Sequence, residues 1–248
     1  LISPVLSLIL IVLAGITSFI TAAFGAGGGL LLLIAMASIL PVSSVIAVHG
    51  LVQLGSNTNR MLFTFKHIDR HMLAYFSAGG LVGALSASFV VTQLPLELVK
   101  LSIGIFVLYI LWGTKPTIRK TSNLGRIVTG ATTTFLSMFV GASGPMVGGF
   151  LYQNNYQKLP FTATFSACMA FQHSLKAVVY ISIGFSFWQW LPLILAMIAS
   201  GAAGTWIGIK LLKNFSNDKF KKAFQAMLSL LCLHLILKVV YDWFNELT

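Results

Sequence analysis

A chain of 248 residues that is 57% apolar and only 8% charged, with a mean hydropathy of +0.90, lies outside the range of soluble globular domains. Its 16 Lys and Arg against 5 Asp and Glu gather in a few short loops with no interleaved exposed aromatics. That arrangement excludes a nucleic-acid partner and matches the positive-inside bias of a protein built into a lipid bilayer.

In chain order, apolar runs at 5–24, 30–40, 45–65, 72–91 and 98–112 predict five helices. The first run has no basic residue before it and no small-residue cleavage site after it, so it reads as a span and not as a signal peptide. A basic, polar stretch at 114–126 follows. Runs at 127–140, 146–152, 161–185, 191–211 and 224–240 then predict five more. The division expected is a first transmembrane repeat at 1–113, a basic cytoplasmic linker at 114–126 and a second transmembrane repeat at 127–248. Cys168 and Cys232 fall inside apolar runs, where a lone cysteine behaves as a small hydrophobe.

The two halves share more than a count. Phe19-Ile20-Thr21 followed by Gly25-Ala26-Gly27-Gly28 aligns with Phe135-Leu136-Ser137 followed by Gly141-Ala142-Ser143-Gly144. Gln53 and Asn57 then match Gln172 and Lys176, Gly80 and Gly83 match Gly201 and Gly204, and Glu97 and Lys100 match Asp218 and Lys221, the offset drifting from 116 to 121. Internal duplication is the simplest explanation. Lys66 and Arg70 follow the third span while the equivalent loop, 184–189, is uncharged; the loop after the ninth span holds Lys210, Lys213, Lys219, Lys221 and Lys222 while its counterpart is nearly neutral. Charge has changed sides between equivalent loops. Ten crossings with both termini outside satisfy the positive-inside rule and make the fold an all-α polytopic membrane protein with an inverted 5+5 helical repeat. The second and seventh segments are too short to cross about 30 Å and are expected as broken, half-length or re-entrant helices.

Both glycine breaks interrupt apolar runs at matching places. No acidic residue follows the first at the distance a dinucleotide loop requires, so Gly25, Gly27, Gly28 and, in the second half, Ser143 and Gly144 are candidates for half-helix N-termini that present free N–H groups to an anion. Close backbone contact or a tight hairpin is the competing use of such glycines. His49, Gln53, Asn57 and Arg60 share one face of the third span, and Cys168, Gln172, Lys176 and Tyr180 one face of the eighth. Polar groups inside a span face protein or a water-filled cavity, so the two stripes are expected to meet.

Lys176 is deep in its run, and no acidic residue occurs between Glu97 and Asp218. A bound anion would answer its charge; snorkelling or a bond to helix-end carbonyls would also satisfy it. Gln53, Asn57 and Gln172 suit substrate contact or interhelical hydrogen bonding. His173 points about 100° away from the stripe and reads as a packing residue. His67 and His71 belong to a basic rim, Gly79 with Gly83 and Gly204 with Gly208 to helix contacts, and Trp188 and Trp190 to an interfacial belt. No HExxH, CxxC or nucleophile constellation occurs, so neither an enzyme nor a metal or other cofactor is expected.

The first span running into Phe24-Gly25-Ala26-Gly27-Gly28-Gly29, the Gln-x-x-x-Asn of Gln53 and Asn57, the turn Phe65-Lys66-His67-Ile68-Asp69 and the duplicated Gly-x-x-Gly of Gly80 and Gly83 resemble the TauE/SafE sulfite exporters of the toluene sulfonate uptake permease superfamily. The resemblance spans nearly the whole chain. It implies secondary transport, in a bacterial inner membrane, of small sulfur-containing anions such as sulfite, sulfonates or sulfoacetate. Outward movement by alternating access is the leading expectation. A proton-coupled anion uptake permease and a non-transporting membrane assembly protein remain the alternatives, and a homodimer is left open.

Overall fold

The structure is a computed structural model, and it describes residues 2–24, 27–91, 122–141, 143–152, 154 and 156–211, with isolated positions at 105–113 and 229–241. The expected fifth and tenth helices lie largely outside the described residues. So do Cys232, most of the 114–126 linker and the charged positions Glu97, Lys100, Asp218 and Lys221.

Among the described residues the elements are helical, with no strand. They are α1 (Pro4–Phe24), α2 (Gly28–Ile39), α3 (Val42–Thr64), α4 (Arg70–Ser88), α5 (Asn123–Val140), α6 (Gly144–Tyr152), α7 (Lys158–Ser182) and α8 (Leu191–Leu211), with single 3-10 turns at Phe65–His67 and Trp188–Trp190. Local chemistry sets the boundaries. Leu40 precedes Pro41 and is extended, as a residue before proline must be, so α2 stops there. The Asp69 carboxylate accepts the Met72 N–H at 2.9 Å and caps α4, and Ser122 does the same for α5 through the Gly125 N–H at 3.0 Å.

Helices α2 and α6 have 12 and 9 residues. At 1.5 Å per residue they reach only about 18 Å and 14 Å, well short of a bilayer core of about 30 Å.

Burial is distributed in the sense expected for lipid solvent. Arg60, Lys176, Gln172, His49, His173 and Asn57 are buried, while Leu8, Leu62, Leu85, Leu124, Val178 and Ile181 are exposed. Pro4–Ala23 and Trp188–Leu211 are long and apolar enough throughout to cross a membrane. Of the remaining long helices, α3, α5 and α7 carry interior polar residues, which lowers their average hydropathy.

Helix α1 lies against α8, α4 against α5, and α3 against α7. The first two contacts run through backbone-close glycines. A Cβ at Gly83 would collide with the Ala131 carbonyl, and one at Gly204 with the Gly15 carbonyl. A Cβ at Gly80 would stand 3.2 Å from Thr134 Oγ1, and one at Gly201 2.9 Å from Ser18 Oγ. Gly79 and Gly208 similarly abut the Ile127 and Phe19 carbonyls, so the small-xxx-small pairs serve helix contact.

Within each of these two pairs, contacts advance together along both chains, so the helices run parallel. Helices α3 and α7 run antiparallel. His49 and Gly50 near the start of α3 meet His173 and Lys176 late in α7, whereas Asp69, just beyond α3, donates its N–H to Thr164 Oγ1 early in α7 at 3.0 Å. Trp188 is exposed, but Trp190, expected beside it in an interfacial belt, is buried in the core with Ile194 and Met197. The 3-10 turn points their rings in different directions.

Candidate functional site

The glycine breaks form the site from the backbone outward. Gly27 takes φ 105°, a conformation in the left-handed half of φ space that L side chains avoid, and no side chain caps α2 behind it. Gly28 then opens the helix so close to α1 that a Cβ would collide with the Thr17 carbonyl. In the second half Gly141 ends α5 at φ 85° and Gly144 opens α6, with the Ser143 carbonyl accepting from Met146 and Val147 at 3.0 and 3.1 Å. The first N–H groups of each helix have no intrahelical partner, and the dipoles make both helix starts electropositive. Gly25, Ala26 and Ala142 lie outside the described residues.

Both helix starts face one cavity of about 30 Å³, room for a water or two or a compact ion. Of the residues predicted from sequence, Gly27, His49, Gln53, Asn57 and Gly144 line it. Gly28, Arg60, Ser143, Gln172 and Lys176 stand outside the lining and hold its wall. Thr21, Gly29, Leu30, Phe165 and Met169 line it without having been singled out, and so does His173, which the sequence had suggested as a packing residue. For His173 a signal existed, since an ionisable residue within a span is by default a functional candidate.

Donor and acceptor logic fixes how the α3 stripe points. A guanidinium has donors only, so the Asn57 atom 3.1 Å from Arg60 Nη1 is its oxygen. Asn57 Nδ2 therefore faces Gln53, donating to its backbone carbonyl at 2.8 Å and to Oε1 at 3.3 Å. The Gln53 amide nitrogen is left toward the start of α2, 3.1 Å from where a Cβ on Gly29 would sit. Arg60 thus acts on the cavity through two carboxamides and does not enter it.

The α7 stripe is used differently. Lys176, fully buried, donates to the Gly141 carbonyl at 2.8 Å, the C-terminal end of α5. Its stem fills the space beside Gly50. Gln172 donates to the Thr133 carbonyl at 3.2 Å and to Ser143 Oγ, tying down the second break. A cation on the Gly141 carbonyl answers the negative end of α5 beside a cavity toward which α2 and α6 turn their positive ends.

Asp69 is the only acidic residue among the described residues, and it lies at the far end of α3, bonded to the Tyr156 hydroxyl. Burial raises its pKa, but the hydrogen bonds from Tyr156 and from the Met72 and His71 N–H groups outweigh this and hold it below the ordinary carboxylate range. The Tyr156 hydroxyl is pushed up in turn, by burial and by that carboxylate.

A family model for the sulfite exporter TauE/SafE matches residues 9–235. The chain belongs to the TauE/SafE family. Members of this family are membrane transporters and not enzymes, which places the protein in a membrane. Among curated proteins and among solved structures no match was found. Residues 9–235 take in every cavity-lining residue of this TauE/SafE protein, from Thr21 to His173.

Proposed function

We propose that the protein is a secondary transporter that carries a small sulfur-containing anion, such as sulfite or a sulfonate, outward across a bacterial inner membrane by alternating access. The observation that carries this reading is the convergence of two glycine-opened helix starts, α2 and α6, on one cavity with no carboxylate beside it among the described residues. Such a cavity offers backbone N–H groups and the Gln53 amide to an anion. The compact volume favours an ion of a few atoms.

The same reading makes the fold an inverted repeat. Helices α3 and α7 hold equivalent places in the two halves and cross antiparallel, as a two-fold axis in the membrane plane requires. The Gly83–Ala131 and Gly204–Gly15 contacts are exchanged by the same operation. Multiple crossings with the Lys66–His71 turn in the cytoplasm follow from it. A potential of about 100 mV, inside negative, supplies about 2.3 kcal/mol per net negative charge moved outward, enough to drive export without nucleotide.

One observation favours the assembly reading for a single residue: Lys176 already has a protein partner in Gly141. Lys176 itself is not among the residues that line the cavity.

A thermal-shift screen of the purified protein with sulfite, sulfonates, thiosulfate and chloride tests the reading. A ligand at 100 times its Kd stabilises by about 2.7 kcal/mol, so a sulfur oxyanion should raise the melting temperature where chloride does not. No shift with any anion would support a non-transporting role.

A further inference from the structure

Two histidines from different helices meet at the cavity, and each leaves a buried ring nitrogen unpaired. His49 Nε2 lies 2.9 Å from the Gly29 carbonyl, which can only accept, so this nitrogen carries the proton and Nδ1 of the neutral ring is bare. His49 Nδ1 and His173 Nδ1 are both buried without a hydrogen-bond partner. The rings approach edge to face, with centroids 6.3 Å apart, and both line the cavity. The Gly141 carbonyl, which accepts from Lys176, also faces the His49 ring.

We propose that His49 and His173 form a proton site that fills together with the anion, one proton per anion, which makes the protein a proton–anion cotransporter. The inference rests on the anion-site reading above. The charged group beside the pair is Lys176 on α7, and Arg60 stands roughly three turns further along α3. Cys168 and Tyr180 share α7, Tyr180 already donating to the Met138 carbonyl at 2.9 Å. Helices α1 and α2 carry no ionisable side chain, and the only one on α8 is Lys210 at its end.

A proton on either ring therefore adds positive charge beside Lys176, with no carboxylate at hand among the described residues. An anion in the cavity supplies the missing negative charge. Linkage is reciprocal, so the proton must strengthen anion binding by the factor with which the anion strengthens proton binding. A divalent anion accompanied by one proton still moves one net negative charge, so the membrane potential continues to favour export. A monovalent sulfonate with one proton moves none.

The test is titration calorimetry on the purified full chain, in buffers of different ionisation enthalpy, between about pH 5 and 8, where histidine changes charge. The probes are methanesulfonate, which stays ionised, and sulfite, whose own proton balance is measured in the same buffers. The expected result is uptake of about one proton per bound anion, with affinity falling up to tenfold per pH unit. The His49→Gln/His173→Gln double variant should bind more weakly, with no proton uptake and no pH dependence beyond that of the probe. If the pair does not fold when doubly replaced, His173→Gln alone should halve the uptake or abolish it. Binding without proton uptake in the unaltered protein, or uptake undiminished in the variants, would overturn the proton site while leaving the anion site standing. Failure of both anions to bind at any pH would remove the anion site and this inference together.

Discussion

Lys176 donates to the Gly141 carbonyl at 2.8 Å, so the one lysine buried in the core of the described helices is fixed to the helix end that precedes the second glycine break. Replacing it has two opposed effects on folding. Lys176→Met leaves a buried carbonyl unpaired, at about 1–3 kcal/mol, and removes a buried charge that is costly in itself. The variant should therefore fold, with anion affinity reduced at least tenfold, or about 1.4 kcal/mol, because the negative end of α5 is no longer answered. Lys176→Arg should retain part of the affinity. Calorimetric binding by both variants checks this, and unchanged affinity in a folded Lys176→Met protein would confine the lysine to a structural role.

The glycines should separate into two kinds. A Cβ at Gly144 would meet only Phe165 and Met169, at 3.5 and 4.0 Å, so Gly144→Ala is expected to fold normally, and Gly144→Leu to fold while filling the cavity. Gly27→Ala must force an L residue to φ 105°, ψ −34°, outside the left-handed helical region, at about 1–3 kcal/mol. Gly83→Ala and Gly204→Ala collide with backbone carbonyls and should lose helix contact outright. Melting temperatures in detergent rank them, with Gly144→Ala the most stable and the Gly83 and Gly204 variants the least.

Acid should reveal the Asp69–Tyr156 contact. A carboxylate held below its unfolded value near 3.9 contributes stability that is fully present above that value and is lost as pH falls through the lower folded value. Removing the hydroxyl in Tyr156→Phe raises the folded value. Acid unfolding of this variant should then begin at higher pH than in the unaltered protein, as followed by circular dichroism, while its stability at neutral pH falls modestly.

Topology is open to direct labelling. Single cysteines introduced into the 114–126 linker should react with membrane-impermeant maleimide only from the cytoplasmic side, and cysteines at either terminus only from outside. Labelling of the linker from outside intact cells would break the inverted arrangement.

The helices were legible because apolar runs and their breakers coincide with the observed ends to within a few residues. The 30–40 run is α2, stopped by Pro41, and the 146–152 run is α6. The glycine breaks were legible for the same reason, and so was the meeting of the two polar stripes. What each stripe does was not. Gln53 and Gln172 are equivalent by spacing, yet one faces the cavity and the other holds Ser143, a difference set by neighbours on α2, α5 and α6. His173 leaves its own stripe by 100° on a helical wheel, but the antiparallel crossing of α3 turns that flank toward His49. The partner of Lys176 is a carbonyl 35 residues away, freed only because Gly141 ends a helix.

Efflux of radiolabelled sulfite from proteoliposomes, under an imposed inside-negative potential, measures the use of the α2–α6 cavity most directly. The unaltered protein should release sulfite faster than empty vesicles and faster still as the potential is raised, and a well-folded Gly144→Leu protein should reduce that rate at least tenfold, about 1.4 kcal/mol in barrier. Normal efflux through Gly144→Leu, or no efflux above empty vesicles in the unaltered protein, would contradict a sulfur-anion path between the two helix starts.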